Sequence, residues 1–145
     1  MTHQLAGHCH CGAIRVILET PRPAAELPLR ACQCGFCRRH GAETTSDPEG
    51  HLHVEAAPGS VTRYQFGQKQ GDFLLCAECG VYVAATVETD DGLIAVLNVR
   101  GVDLAGFQDR TPDPMVYDEE TPAERLARRK ARWTPAIIVE AQPNA

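Results

Sequence analysis

Short apolar stretches recur along the chain and are separated by clusters of glycine, proline and aspartate. Each stretch is rich in Val, Ile, Phe or Tyr and is about as long as one strand, which favours β-structure over helix. Asp90-Asp91-Gly92 separates the last two stretches and is typical of a hairpin turn. The pattern predicts a mainly β protein with strands near residues 14–18, 61–66, 73–75, 81–87 and 93–99.

One helix is predicted near the end of the chain. Thr121 is a typical N-cap, Pro122 suits the first helical position and Glu124 completes a capping box, so the helix should run to about residue 133. It has a narrow apolar stripe, and the rest of its surface is mainly basic. That surface predicts a solvated face, with a surface for an anionic ligand or partner as the alternative. The stripe consists of Ala123, Leu126 and Ala127, and the basic residues are Arg125, Arg128, Arg129, Lys130 and Arg132.

Two further segments are predicted to be irregular. Pro112 and Pro114 disfavour helix between residues 106 and 122, which is expected to be an extended surface connection. His51 and His53 are expected in a turn, with surface roles. Because neither segment looks like a domain boundary, the length predicts a single domain over residues 1–145.

Composition places the chain among ordinary globular proteins, with 43% hydrophobic and 23% charged residues. A formal net charge of -5 gives no general attraction to a phosphate backbone, so nucleic acid is not an expected partner. No apolar run approaches the ~20 residues that span a bilayer, and the first residues lack the pattern of a secretory signal. We therefore expect no membrane association and a cytoplasmic location. These features leave a homodimer open.

Seven cysteines, an odd number, lie in three tight groups, which suits metal ligation better than a disulfide framework. Zinc holds thiolates ~2.3 Å away in a tetrahedron, and ligands two or three positions apart on one turn can share an ion. Gly12 and Gly80 each follow the second cysteine of a pair, where a positive φ is expected. The groups are Cys9 with Cys11, then Cys32, Cys34 and Cys37, and finally Cys76 with Cys79.

The count of seven favours one closed and one open zinc site. Structural zinc sites have four protein ligands, whereas catalytic sites commonly have three and an open position. The two pairs would form the closed site, and the group of three would keep a position for water or a thiol. Two alternatives stay open. His40 could close the group of three, or Cys34 and Cys37 could join Cys76 and Cys79 as a zinc ribbon.

Three segments resemble the glutathione-dependent formaldehyde-activating enzyme family, which also includes centromere protein V. They are GHCHCGAIRV at residues 7–16, CQCGFCRRHGA at 32–42 and FLLCAECGVYV at 73–83, and the segment 93–103 fits the strand that follows. Beyond residue 103 the chain departs from the usual family pattern. The resemblance implies a β-tent zinc-binding fold, to which this chain adds the short C-terminal helix. It implies a structural zinc on Cys9, Cys11, Cys76 and Cys79 and a second, weaker and catalytic zinc on Cys32, Cys34 and Cys37.

The resemblance also implies an activity, the joining of formaldehyde to glutathione as S-hydroxymethylglutathione. The chain would then be a zinc-dependent carbon-sulfur lyase acting on thiol adducts of small aldehydes, with glutathione as co-substrate. Arg38 and Arg39 directly follow the three cysteines and are candidates for a bidentate clamp on a substrate carboxylate. Tyr64 and Tyr82 carry hydroxyls that could protonate an alkoxide, but strand tyrosines more often pack at a sheet edge, so neither is assigned to the site. The alternative is a zinc-stabilised, non-catalytic binding module.

Overall fold

The computed structural model describes residues 2–141, and its elements there are mostly strands. The prediction of a mainly β fold with a C-terminal helix is confirmed. A 3-10 turn at Ala24–Glu26 is the one further helical segment in this range. The strands are β1 (His3–His8), β2 (Ile14–Thr20), β3 (Arg30–Cys32), β4 (Thr44–Thr45), β5 (His51–Ala56), β6 (Val61–Tyr64), β7 (Asp72–Cys76), β8 (Tyr82–Thr89), β9 (Gly92–Asn98), β10 (Asp113–Met115) and β11 (Thr134–Glu140), and the helices are α1 (Gly35–His40) and α2 (Pro122–Arg132).

All eleven strands form one continuous, branched sheet. One path runs in the order β1-β2-β5-β11-β9-β4-β3-β10, and β8, β7 and β6 follow one another outward from β9. Strand β11 joins the two halves, because its first two residues pair antiparallel with β9 and the next five pair parallel with β5. The main core lies on the inner face of β2 and β5, where alternate side chains such as Val16 and Val54 are buried.

The predicted strands all exist, and the predicted hairpin is formed by β8 and β9. Gly92 pairs with Thr89 across the turn and has a φ of 112°, a conformation that glycine adopts without steric cost. The prediction of a turn at His51 and His53 is wrong, because both residues belong to β5 near the centre of the sheet. Their strand alternates polar and apolar residues instead of forming an apolar run. Strands β1 and β11 were not predicted either: β1 lacks an apolar run, whereas β11 contains one at residues 136–139.

The segment between residues 106 and 122 is irregular as predicted, except at β10. This short strand pairs parallel with β3, and the backbone N–H of Gln33 donates to the Met115 carbonyl over 2.9 Å. Pro114 lies in the middle of β10. A proline is tolerated there because β10 is at the edge of the sheet, where its missing N–H breaks no ladder.

Helix α2 begins as predicted, at a complete capping box. The Glu124 amide donates to the Thr121 hydroxyl over 3.2 Å, and the Thr121 amide donates to the Glu124 carboxylate over 2.9 Å. The helix ends at Arg132, and Trp133 is its buried C-cap. No helix within residues 2–141 is long and apolar enough to cross a membrane.

The orientation of α2 differs from the prediction. Ala123 and Ala127 are exposed, whereas Arg125, Arg128 and Arg129 are half-buried. The predicted solvated face is therefore wrong for these three arginines. The reason is that α2 covers a cavity with a mixed polar and apolar wall, so its inward side does not pack on a continuous apolar surface and can carry cations.

Replacing Thr121 with alanine tests the start of α2. Thr121→Ala removes the acceptor for the Glu124 amide and should lower the free energy of unfolding by about 1 kcal/mol. Thermal unfolding followed by circular dichroism measures this loss. Thr111→Ala is the matched control, because Thr111 is exposed in a loop, and its melting temperature should equal that of the wild type. Equal melting temperatures for both variants would contradict the cap.

Candidate functional site

Four cysteines meet where two hairpin turns approach each other. Cys9 and Cys11 lie in the turn between β1 and β2, and Cys76 and Cys79 lie at the turn between β7 and β8. Each turn is closed by a hydrogen bond from a glycine amide to the carbonyl of its first cysteine, over three residues in one turn and four in the other. The amides of Gly12 and Gly80 donate to the carbonyls of Cys9 and Cys76 over 3.0 and 2.8 Å. These glycines have φ values of 84° and 79°, as the sequence predicted, and left-handed backbone of this kind favours glycine.

The distances between these sulfurs suit a shared metal ion. The four Sγ atoms all lie within 4.8 Å of one another. Cys11 Sγ is 3.8 Å from Cys9 Sγ and 3.6 Å from Cys76 Sγ, far beyond the ~2.0 Å of a disulfide bond. The group could therefore hold a metal ion that joins two turns 65 residues apart in the chain.

The other three cysteines are brought together by a strand end and a helix start. Cys32 ends β3, Cys34 is the N-cap of α1, and Cys37 lies in the first turn of α1, where its amide donates to Cys34 Sγ over 3.4 Å. Their Sγ atoms also lie within 4.8 Å of one another. Hydrogen bonds from Cys32 and then Cys37 hold the pKa of Cys34 well below its usual range, whereas bonds with Cys32 and then Cys34 raise the pKa of Cys37. These shifts favour the thiolate at Cys34 and the thiol at Cys37.

The two alternative ligand sets are not assembled. The His40 ring packs on Phe36 at 4.5 Å between centroids and on Tyr82 at 5.8 Å, and His40 does not belong to the group of three cysteines. The sulfurs of Cys34 and Cys37 do not group with those of the β7–β8 turn either, so the zinc-ribbon arrangement is not formed. The sequence reasoning grouped the sulfurs as the structure does, and their role as ligands stays a prediction.

A cavity of about 250 Å³ opens beside the three-cysteine group. Cys32, Cys34 and Cys37 line it, whereas none of the other four cysteines does. The wall is mixed in character. Its apolar part consists of Phe66, Phe73, Ala85, Val96, Met115 and Trp133, and its cationic part consists of Arg30, Lys69, Arg125, Arg128, Arg129 and Arg132.

Tyr82 is buried in the wall of this cavity, next to the cysteines. Burial, followed by the electrostatic effect of Cys37, Cys32 and Cys34, raises the pKa of Tyr82 well above its ordinary value. The phenol therefore stays protonated at neutral pH and keeps a hydrogen to donate. The sequence analysis named this hydroxyl but left it out of the site, because its burial beside the cysteines depends on the pairing of β8.

Arg38 and Arg39 lie on the exposed side of α1 and are not among the residues that line the cavity. The Arg39 guanidinium donates to the Gly35 carbonyl over 3.0 Å. Their role as a substrate clamp stays a prediction. The cations that do line the cavity come mainly from α2, and the sequence analysis missed their position. The signal was the spacing of Arg125, Arg128, Arg129 and Arg132, which places them on one face of the helix.

These features define a class of mainly β proteins with two cysteine groups that could each hold a metal ion, one of them opening into a cavity. Comparison with known families identifies the class. The chain belongs to the glutathione-dependent formaldehyde-activating enzyme family, whose model matches residues 4–118. The resemblance found in the sequence is confirmed.

Two individual proteins are also similar to this chain. A Halomonas elongata protein that carries the name of the same family is 31% identical to this chain over a match of 38% of this chain and 46% of the relative. The match thus spans less than half the length of that relative. A crystal structure of a Rhodobacter sphaeroides protein is similar to 77% of this chain and 99% of its own, with a TM-score of 0.55 and 29% sequence identity.

Serine substitutions should separate the two cysteine groups. Cys76→Ser removes a sulfur that joins two distant turns, and it should lower the free energy of unfolding by more than about 4 kcal/mol. Cys34→Ser should cost less than about 1 kcal/mol, because serine is itself a good N-cap for α1. Chemical denaturation of both variants measures the difference. Equal losses would assign Cys34 a structural role and contradict the division into four and three.

Proposed function

We propose that the chain is a zinc-dependent enzyme that joins the thiol of glutathione, its co-substrate, to formaldehyde or another small aldehyde. In the reverse direction the same enzyme is a carbon-sulfur lyase. One observation carries the proposal. Of the two cysteine groups, the one with three members lines the cavity, and the one with four members does not. Three protein ligands leave a coordination position for a substrate, whereas four close a tetrahedral site.

The sulfur geometry supports zinc as the metal. Four sulfurs bound ~2.3 Å from one ion in a tetrahedron lie ~3.8 Å apart. In the four-cysteine group, Cys11 Sγ lies 3.8 Å from Cys9 Sγ and 3.6 Å from Cys76 Sγ. Thiolate-only sets select soft or borderline metals, and tetrahedral sulfur sites are typical of zinc or iron–sulfur centres. In this proposal Cys9, Cys11, Cys76 and Cys79 hold a structural zinc, and Cys32, Cys34 and Cys37 hold the catalytic one.

A zinc ion on the three cysteines would supply an open position at which a thiol with an ordinary pKa near 8.5 is held as its thiolate at neutral pH. The resulting increase in thiolate population lowers the barrier by at most about 2 kcal/mol. Enzymes typically lower barriers by ~8 kcal/mol or more. Most of the effect must therefore come from side chains that position the aldehyde and stabilise the charge that develops on its oxygen.

The reaction itself needs no oxidant or reductant. The thiol sulfur donates an electron pair to the carbonyl carbon and forms the carbon-sulfur bond, while the carbonyl π pair moves to oxygen. The proton lost by the thiol is balanced by the proton that the new alkoxide takes up. In the reverse reaction the hydroxyl loses its proton, and the carbon-sulfur bond breaks to release thiol and aldehyde.

Tyr82 is the chain's own candidate for stabilising the developing alkoxide. Its hydroxyl is protonated, and the residue lines the cavity together with the three cysteines. A phenol that stays protonated keeps a hydrogen that it can donate to an oxyanion. Arg38 and Arg39 remain candidates for binding a carboxylate of glutathione that extends out of the cavity beside α1.

Cobalt substitution combined with product detection tests the proposal. Glutathione should change the visible spectrum of the cobalt-loaded protein, and the S-hydroxymethyl adduct should form from ¹³C-formaldehyde faster than without enzyme, as followed by NMR. Cys34→Ser should abolish both effects while its circular dichroism spectrum stays that of the wild type. His40→Ala should leave the cobalt spectrum unchanged. A spectrum that ignores thiols but responds to His40→Ala would instead favour the non-catalytic binding module.

A second variant tests the role of Tyr82. Tyr82→Phe removes one oxygen from a buried side chain and should lower the rate of adduct formation by about 10- to 100-fold. The cobalt spectrum and its response to glutathione should stay the same, because the ligands are untouched. Tyr64→Phe is the matched control, since Tyr64 is about half exposed and does not line the cavity. Equal rates for wild type and Tyr82→Phe would remove Tyr82 from the mechanism.

A further inference from the structure

The cavity beside the three cysteines carries a charge opposite to that of the whole chain. The chain has a formal net charge of -5 and 14 Lys and Arg side chains. Six of these cations line the cavity, and Asp118 is the one carboxylate among the described residues that line it. A concave surface with this excess of positive charge concentrates anions.

Four of the six cations come from one face of α2. Helix positions three or four apart lie on the same face, which fits their spacing. Helix α2 begins at Pro122, beyond residue 118, where the match to the family ends. These four cations therefore belong to the part of this chain that the family model does not match, whereas Arg30 and Lys69 lie within the match. The four residues are Arg125, Arg128, Arg129 and Arg132.

Two of these arginines already have a carboxylate partner. Glu120 accepts from Arg128 over 2.7 and 3.0 Å and from Arg125 over 3.2 Å. Arg128 also lies over the Tyr117 ring, 3.6 Å from its centroid. One carboxylate thus serves two guanidinium groups, which fixes their positions but leaves a net positive charge on this wall.

Arg129 has no carboxylate within 4.0 Å among residues 2–141. Its Nε is buried without a hydrogen-bond partner, and its guanidinium lies over the Trp133 ring, 4.7 Å from the centroid. Burial, followed by repulsion from Arg128 and Arg125, lowers the pKa of Arg129 to about 10, so the side chain still carries its charge at neutral pH. A buried guanidinium that lacks an anion is costly unless a ligand supplies one.

Arg30 and Arg132 extend the same positive region toward the cysteines. Arg30 lies two residues before Cys32 in β3, and alternate residues of a strand point to the same side. Its guanidinium donates to the Ser46 hydroxyl over 3.0 Å, and Ser46 in turn donates to the Arg132 carbonyl over 2.7 Å. Neither arginine has an ion pair among the described residues, so both cations remain available to a ligand in the cavity.

We propose that this cavity has an oxyanion subsite in which Arg129, with Arg30 and Arg132, binds a carboxylate or phosphate group of the substrate while the reacting end of that substrate lies at the three cysteines. The inference rests on the proposed function for the identity of the reacting end, but binding of the anion requires no turnover. Guanidinium groups suit this task, because their planar N–H donors match the oxygens of a carboxylate or phosphate. The specificity of the enzyme is therefore for an acidic substrate.

Trp133 provides a direct probe of the subsite, because it is the chain's only tryptophan and contacts Arg129. Metal-loaded protein is titrated with 3-mercaptopropionate and with 3-mercapto-1-propanol, its neutral counterpart, and Trp133 fluorescence and calorimetry report binding. The acid should bind about tenfold more tightly or better. Arg129→Gln should remove this preference. Lys130→Gln, which removes a neighbouring exposed cation from the outer side of the same helix, should keep it.

Further ligands identify which substrate carries the anion. Glyoxylate is an acidic aldehyde without a thiol, and inorganic phosphate has neither reacting group. Competition by glyoxylate in the wild type but not in Arg129→Gln would place the acid on the aldehyde, whereas preference for the mercapto acid alone would place it on the thiol. Phosphate competing more strongly than acetate would assign a phosphate group.

A second variant covers the case in which Arg129→Gln does not fold. Arg132 is exposed, and Arg132→Gln leaves its backbone bond to Ser46 in place, so this variant should fold and should weaken binding of the acid but not of the alcohol. Equal affinities for acid and alcohol in the wild type would overturn the subsite. The subsite would also be overturned if Arg129→Gln lost zinc while the preference for the acid stayed unchanged. The arginines would then only compensate the negative charge of the cysteine thiolates. Binding of the acid without any adduct formation would leave the subsite standing and refute the proposed function instead.

Discussion

Strand β11 joins the two halves of the sheet and fixes the end of helix α2 beside the cavity. Its first residues pair with β9 and its later residues with β5, so it holds the two halves of the sheet together. Its first residue, Thr134, is buried, and the Asp47 amide donates to the Thr134 hydroxyl over 2.8 Å. Helix α2 ends directly before this strand, and its C-cap Trp133 is also buried. The anchored strand thus fixes the end of the helix and, with it, the arginines over the cavity.

The two cysteine groups sit in different surroundings, and this difference follows from how they are built. The four-cysteine group uses two glycine-containing hairpin turns, so its sulfurs face each other between turns and away from the cavity. The three-cysteine group uses a strand end and the start of α1, so its sulfurs are held by one short piece of chain and line open space. A metal in the first group would stabilise the fold, whereas a metal in the second could meet a substrate.

The positive charge of the cavity depends on which arginines have a carboxylate partner as much as on how many arginines line it. Glu120 holds Arg125 and Arg128 in place, which leaves Arg129 as the half-buried cation of this face without a carboxylate among residues 2–141. The overall charge of -5 gives no hint of this local excess. The net charge predicts no general affinity for nucleic acid, yet it could not reveal that the same chain places six cations around one cavity.

The sequence by itself determined the features that depend on short stretches of chain. The spacing of Cys32, Cys34 and Cys37, the glycines after the cysteine pairs, the hairpin at Gly92 and the cap at Thr121 each involve a few consecutive residues, whose allowed geometry is set by local sterics and hydrogen bonds. Only the tertiary structure decided which strands are central, because the burial of alternate residues in β1, β5 and β11 depends on distant partner strands. For the same reason it decided that the basic face of α2 covers the cavity, since the direction a helix face points depends on what lies beneath it.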